Sequence, residues 1–178
     1  MKRILVFVLV LAGCGGGAAL EPKTYDLGLN PPSAPLPPVR LGRVLAVAPF
    51  DGTDMHYRLS FRNAAEIAPF ATSRWAASPA ELMRKQMLRG ADGKAGRCLL
   101  EVEIQEFTQV FASKEASEAR IELRAALAQP AGLVSRQVAI AEPNAGPDAA
   151  SGAAAFARAA DRALGELGRW IATQPACN

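Results

Sequence analysis

Apolar positions in this chain fall two apart through much of residues 100–140 and three or four apart through residues 149–173. The clearest stretch sets Ala119, Ile121, Leu123, Ala125 and Leu127 against Arg120, Glu122 and Arg124. That period of two predicts a strand with one dry and one wet face. Upstream, Leu100, Val102 and Ile104 alternate with Glu101, Glu103 and Gln105, but Phe107 and Phe111 fall on the opposite parity. A one-residue slip of phase inside a long strand predicts a β-bulge, here near Glu106. A third strand over residues 134–140 follows the turn Pro130-Ala131-Gly132, so the three predict an antiparallel meander.

Two helices frame this meander. Ser78-Pro79-Ala80-Glu81 supplies an N-cap serine, proline at the first helical position and glutamate at the third. These make a capping box, with Leu82, Met83 and Met87 on the apolar face and Gly90 as the stop. The second helix spans residues 149–173. Its apolar stripe is Phe156, Ala160, Ala163, Leu164, Leu167, Trp170 and Ile171, opposite Arg158, Asp161, Arg162, Glu166 and Arg169. Further strands are expected at residues 25–29 and 43–50, the latter reading as buried. A hairpin is expected from residues 57–61 and 65–70 around Arg62-Asn63. Residues 30–38 hold five prolines and predict a stiff, extended surface segment. Together these predict an α/β fold, a layered sandwich with a mixed, largely antiparallel sheet and two main helices.

The first residues do not belong to that pattern. Lys2 and Arg3 precede eight uninterrupted apolar residues, 4–11, and then Leu11-Ala12-Gly13-Cys14. Such a run is far below the ~20 residues of a spanning helix. The layout is that of a secretory signal peptide ending in a lipobox, with Cys14 the lipid attachment site. Each buried acyl methylene contributes about 0.8 kcal/mol, and more than one chain makes a stable anchor. Residues 15–19, glycine and alanine only, are expected to act as a tether. Gly15 rather than aspartate after the cysteine points to the outer membrane, periplasmic face. The expected organisation is a signal peptide over 1–13, a lipidated tether and Pro-rich linker over 14–38, and one domain over 39–178.

Charge and chemistry narrow the function. The net charge of +3 falls to +1 once Lys2 and Arg3 are removed, which leaves no basic field for nucleic acid. Cys98 and Cys177 are an even pair in an oxidising compartment, hence a candidate disulfide, although sequence alone does not fix their separation. His56 is the only histidine, so neither a metal site nor a catalytic triad is expected. Gly90-Ala91-Asp92-Gly93-Lys94 lacks the spacing of a phosphate loop. Glu101, Glu103 and Glu122 read as the wet face of a half-covered sheet rather than catalytic acids. The chain is expected to be no enzyme and to hold no cofactor. One stretch resists a purely structural reading: Tyr57, Phe61, Phe70 and Trp75 lie among Arg58, Arg62 and Arg74. Aromatics with arginines are typical of protein contact surfaces, and equally of strands packed beneath a helix. Tyr57, Arg58, Phe70, Arg74 and Trp75 are the candidate partner interface.

Several of these motifs in this order resemble the ABC-type transport auxiliary lipoproteins, the PqiC-like family that accompanies MCE-domain lipid transporters. The resemblance is carried by the lipobox ending at Cys14, Tyr25-Asp26-Leu27, His56-Tyr57-Arg58-Leu59 and Arg74-Trp75-Ala76-Ala77-Ser78-Pro79. Glu106-Phe107 at the strand slip and the C-terminal helix complete it. It implies an anticodon-binding-like or TolB N-terminal-like domain that is lipid-anchored in the outer membrane and docks on a periplasmic MCE-domain protein. The permease and ATPase would be separate chains, and the ring-shaped MCE partners leave a homo-oligomer open. The resemblance brings no catalytic residues. The alternative is a structural lipoprotein of envelope assembly built on a TolB-like domain.

Overall fold

The computed structural model describes residues 21–91, 96–144 and 146–177. Cys14, the leader, and Asp92-Gly93-Lys94 of the glycine turn lie outside them. Among the described residues, seven strands form one mixed sheet: β1 (Lys23–Tyr25), β2 (Arg40–Ala46), β3 (Asp54–Leu59), β4 (Ala68–Trp75), β5 (Leu99–Phe111), β6 (Ser117–Gln129) and β7 (Gly132–Asn144). A single helical turn, α1 (Ser60–Asn63), separates β3 from β4, while α2 (Pro79–Gly90) and α3 (Ala149–Ala172) are the two main helices. The layered α/β class expected from the sequence is the class observed.

β5 is the spine. One of its edges carries β6 antiparallel along its full length; the other carries two parallel strands end to end. β2 takes Leu99 to Ile104, and β3 takes Thr108 to Phe111. Beyond β3 come β4 and then β1, and beyond β6 comes β7. The phase slip is accommodated as the sequence suggests. Ile104 faces Leu123 and Glu106 faces Glu122, so Gln105 is the extra residue of a bulge. The extra residue returns Phe107 to the face already occupied by Ile104, and both are fully buried there.

That face is covered by α2 and α3. The Ser78 hydroxyl accepts from the Glu81 amide at 3.3 Å and the Glu81 carboxylate accepts from the Ser78 amide at 3.3 Å, so the capping box is closed. α3 buries Phe156, Ala160, Ala163, Leu164, Leu167 and Ile171 on the sheet. Its first turn approaches so closely that a Cβ at Gly152 would lie 2.2 Å from Gln109 Oε1, so any larger residue there requires the buried Gln109 amide to move. At the β6–β7 turn Gly132 has φ +129°, a conformation that side chains disfavour.

Several expectations need correction. The stretch read as a buried strand is β2, an edge strand among the described residues, and its Leu45 is 50% exposed because it stands beside Glu103 on the face that no helix covers. The first strand lies at Lys23–Tyr25, ahead of its expected place. The hairpin exists, but α1 replaces the turn and β4 runs on to Trp75. The Pro-rich segment is not a free linker. Ser33 donates from both its amide and its hydroxyl to Asp161 of α3, at 2.6 and 2.7 Å. The Leu36 amide donates to Gly90 O at 2.9 Å, and the Leu36 side chain is only 5% exposed in the core. With β1 paired to β4 and Leu27 buried, the folded unit includes residues 23–38 and the boundary at 39 does not divide it. Cys98 and Cys177 form a disulfide, Cα–Cα 5.2 Å, that fastens the chain end beyond α3 to the start of β5.

Candidate partner interface

The stretch from Tyr57 to Trp75 forms the β3–α1–β4 end of the sheet, and strand alternation distributes its side chains over both faces. Tyr57 is in register with Ala68 and Gln109. Its ring packs on Phe70 at 4.8 Å and edge-on to Phe111 at 6.2 Å. Tyr57 and Phe70 are half-buried, and Phe61, in the α1 turn that follows β3, is 42% exposed. Tyr57, Phe70 and Phe111 make an aromatic shelf at the margin of the core.

Trp75 does not belong to that shelf. It is 2% exposed, edge-on to Phe107 at 5.5 Å and to Phe156 at 5.2 Å, while those two rings stack at 4.5 Å. The cause is an irregularity in β4. A step of two positions in β3, from Asp54 to His56, is matched by a step of five in β4, from Arg74 to Pro69. The added residues shift the phase, so Phe70 and Trp75, although an odd number apart, both turn towards the helices. Trp75 is therefore core, and its Nε1 meets no partner among the described residues. Arg74, next to it, is exposed.

Arg58 points away from Tyr57, to the face without helices. Its guanidinium grips Glu106 in a fork, Nε to Oε1 at 3.1 Å and Nη2 to Oε2 at 3.0 Å, with the two side chains only 23% and 15% exposed. Nη1 reaches the carbonyls of Ala64 and Ala65 after α1, and the Thr108 hydroxyl donates to Glu106. Arg58 thus holds the β3–α1 corner together, and a paired, half-sunk guanidinium is a poor free anchor. His56 sits beside this pair, edge-on to Phe50 at 5.7 Å, and its Nδ1 is buried without a partner among the described residues. Burial holds its pKa below the ordinary 6.5, against the opposing pull of Asp54 and Glu106. Sequence reasoning missed Glu106 as the partner of Arg58. The bulge it predicted there was the available signal, since it turns Glu106 to the same face as Arg58.

Of the five candidate residues, the structure brings together Tyr57 and Phe70, places Arg58 and Arg74 apart from them, and removes Trp75 from the surface. Among the described residues no group of three or more histidine, cysteine or carboxylate side chains could hold a metal. No described helix is long and apolar enough to cross a membrane.

The molecule is thus a two-layer α/β sandwich whose bulged sheet is covered on one face by two helices. Protein XCC0632 of Xanthomonas campestris, a DUF330 protein, has this fold: TM-score 0.70 at 21% identity, over 84% of this chain and 94% of that one. A second solved structure, of an uncharacterized protein, gives 0.66 at 12% identity, over 85% and 99%. At such identities the likeness establishes the fold. No protein-family model matches the sequence, and no curated protein is significantly similar to it.

Proposed function

We propose that this chain is an outer-membrane-anchored lipoprotein subunit of an MCE-type ABC transport system, supporting lipid transport across the periplasm by docking on the MCE protein. The observation that carries this reading is the fold, shared with a DUF330 protein over nearly the whole of that protein, because PqiC-like proteins are the DUF330 family. It agrees with the family that the lipobox at Cys14 and the later motifs resemble. The Cys98–Cys177 disulfide fits an oxidising compartment such as the periplasm.

On this reading the mechanism is positional and involves no catalysis. Acylated Cys14 holds the domain at the membrane surface. The exposed margin of the Tyr57–Phe70 shelf, with Phe61, is the apolar contact offered to the MCE protein. Lipid then passes between that assembly and the membrane without crossing water. The test is co-purification of the tagged full-length chain from solubilised membranes of its own host, with Cys14→Ser in parallel. The wild type is expected in the outer-membrane fraction with an MCE-domain protein, and the variant as unprocessed precursor. Repeated recovery without any MCE protein overturns the docking; identical processing of both overturns the anchor.

A further inference from the structure

Among the described residues three sheet edges carry no further strand, and two of them are blunted. β1 has only three residues. β2 has a register break between Leu41 and Val44, and Arg84 Nη1 donates to Gly42 O at 3.2 Å. Bulges, charges and short strands are how edges avoid pairing. β7 differs along its length. In its second half Arg162 Nη1 donates to Ala141 O at 3.2 Å and Arg158 Nη2 to Pro143 O at 2.9 Å, and Pro143 has no amide hydrogen to leave unpaired. These contacts show that the odd-numbered peptides of β7 point outward. By strand alternation the peptides of Leu133, Ser135, Gln137 and Ala139 point outward too, and among the described residues nothing pairs with them. This half has no proline and no bulge, its pairing with β6 is unbroken, and Leu133 is 71% exposed.

We propose that residues 133–139 are a docking edge for an extended protein segment bearing acidic side chains at alternate positions. The charge around the edge selects that occupant. On the helix side a shallow groove is lined by Arg136, Arg169, Trp170 and Glu166. Arg124 lies on the other side, across β6 from Gln137. Arg124 is set directly opposite Glu103 of β5 in the β5–β6 ladder, which offsets it, whereas Arg136 and Arg169 are exposed and, among the described residues, neither forms an ion pair. Glu166 offsets one charge and leaves the groove positive. An added strand gains backbone hydrogen bonds from the outward peptides, and every second side chain falls over the groove. A second copy paired antiparallel about Arg136 would set Arg136 against Arg136, and like charges directly opposite repel; registers centred on Ser135 or Gln137 avoid that clash but bring no acidic side chain to Arg136. Residues 1–20 contain no Asp or Glu, so the chain's own N-terminus does not match either.

This inference stands independently of the transport reading, and its test uses no MCE protein. The probe is a fluorescein-labelled Thr-Glu-Val-Glu-Val-Glu-Thr peptide, with lysine in place of glutamate as control, added to the full-length protein in neutral detergent at low salt. Anisotropy is expected to saturate with the glutamate peptide and not with the lysine one. Amide exchange at Ser135, Gln137 and Ala139 is expected to slow at least tenfold. Arg136→Glu should weaken the glutamate peptide about fivefold or more and favour the lysine peptide. Ser135→Pro, which deletes an outward amide and spares the β6 ladder, should abolish binding of either. Equal binding of both peptides, binding of neither, or full binding by both variants overturns the proposal. So does self-association that Ser135→Pro abolishes, which would assign the edge to a second copy.

Discussion

Glu106 is where three polar side chains on the helix-free face meet, accepting from both arms of Arg58 and from Thr108. The neighbouring His56 is 8% exposed, beneath Phe50. The groups that face it pull in opposite directions. Desolvation is the larger effect and disfavours the imidazolium; the Asp54 and Glu106 carboxylates favour it; Arg58 again disfavours it. The folded pKa therefore lies below the unfolded value of 6.5, and the unfolded chain binds the proton more readily. This stabilisation is whole above pH 6.5 and is lost as pH falls through the folded value, with a slope of at most about 1.4 kcal/mol per pH unit. Urea unfolding of the wild type from pH 8 to 5 should show that decline, and His56→Gln should flatten it. Parallel curves for the two proteins would refute the assignment. Since His56 is the only histidine, the comparison needs no correction for others.

Among the elements, α2 depends most on a local signal. Ser78 and Glu81 satisfy each other's backbone amides, and Pro79 at the first helical position lacks the hydrogen that would go unpaired. Ser78→Ala should cost about 1 kcal/mol in the urea midpoint analysis, with an unchanged denaturant slope because the same surface is exposed on unfolding. Loss below a few tenths of a kcal/mol would mean that packing of Leu82, Met83 and Met87 alone fixes the helix start. Such local grammar explains what was readable without coordinates. Caps, the period of two in β6 and the period near 3.6 in α3 are written in neighbouring residues. Edge status is not: Val44 and Leu45 have the composition of a buried strand, yet β2 has a neighbour on one side only. The candidate interface was legible in the same partial way. The pairing of Tyr57 with Phe70 follows from the hairpin, whereas the burial of Trp75 depends on extra residues in β4 that no periodicity announces. The docking of residues 30–38 was equally hidden, because proline content predicts an extended shape but not what lies beneath it.

At the scale of the whole molecule, the two layers are joined by ties distant in sequence. The Pro-rich strap crosses from β1 to β2, is held to α3 through Ser33 and Asp161, and meets the α2 end through Leu36 and Gly90. Near the end of α3, Gly168 faces Pro35 and Pro37, where a Cβ would sit 3.6 Å from each. A few residues further on, the Cys98–Cys177 bond fixes that end of the helix layer to β5, and Arg40 N donates to Cys98 O at 2.8 Å on the strap side. The disulfide therefore closes a loop that contains β5, β6, β7 and α3, with a sequence separation of 79. For a loop of that length the chain-entropy estimate is about 4.5 kcal/mol. The Cys98→Ser/Cys177→Ser double variant should accordingly melt roughly 10 °C below the wild type, since about 1 kcal/mol moves the midpoint a few degrees in a domain of this size. Reductant should bring the wild type to the variant's midpoint and leave the variant unmoved. Hydrogen exchange separates this from a general loosening. The loss should appear first at the C-terminal turn of α3 and at Arg40, whose amide donates to Cys98 O, and later in the β5–β6 ladder. Uniform acceleration across the sheet, or an unchanged midpoint, would show that strap and helix are held by packing alone and that the bond only decorates the chain end.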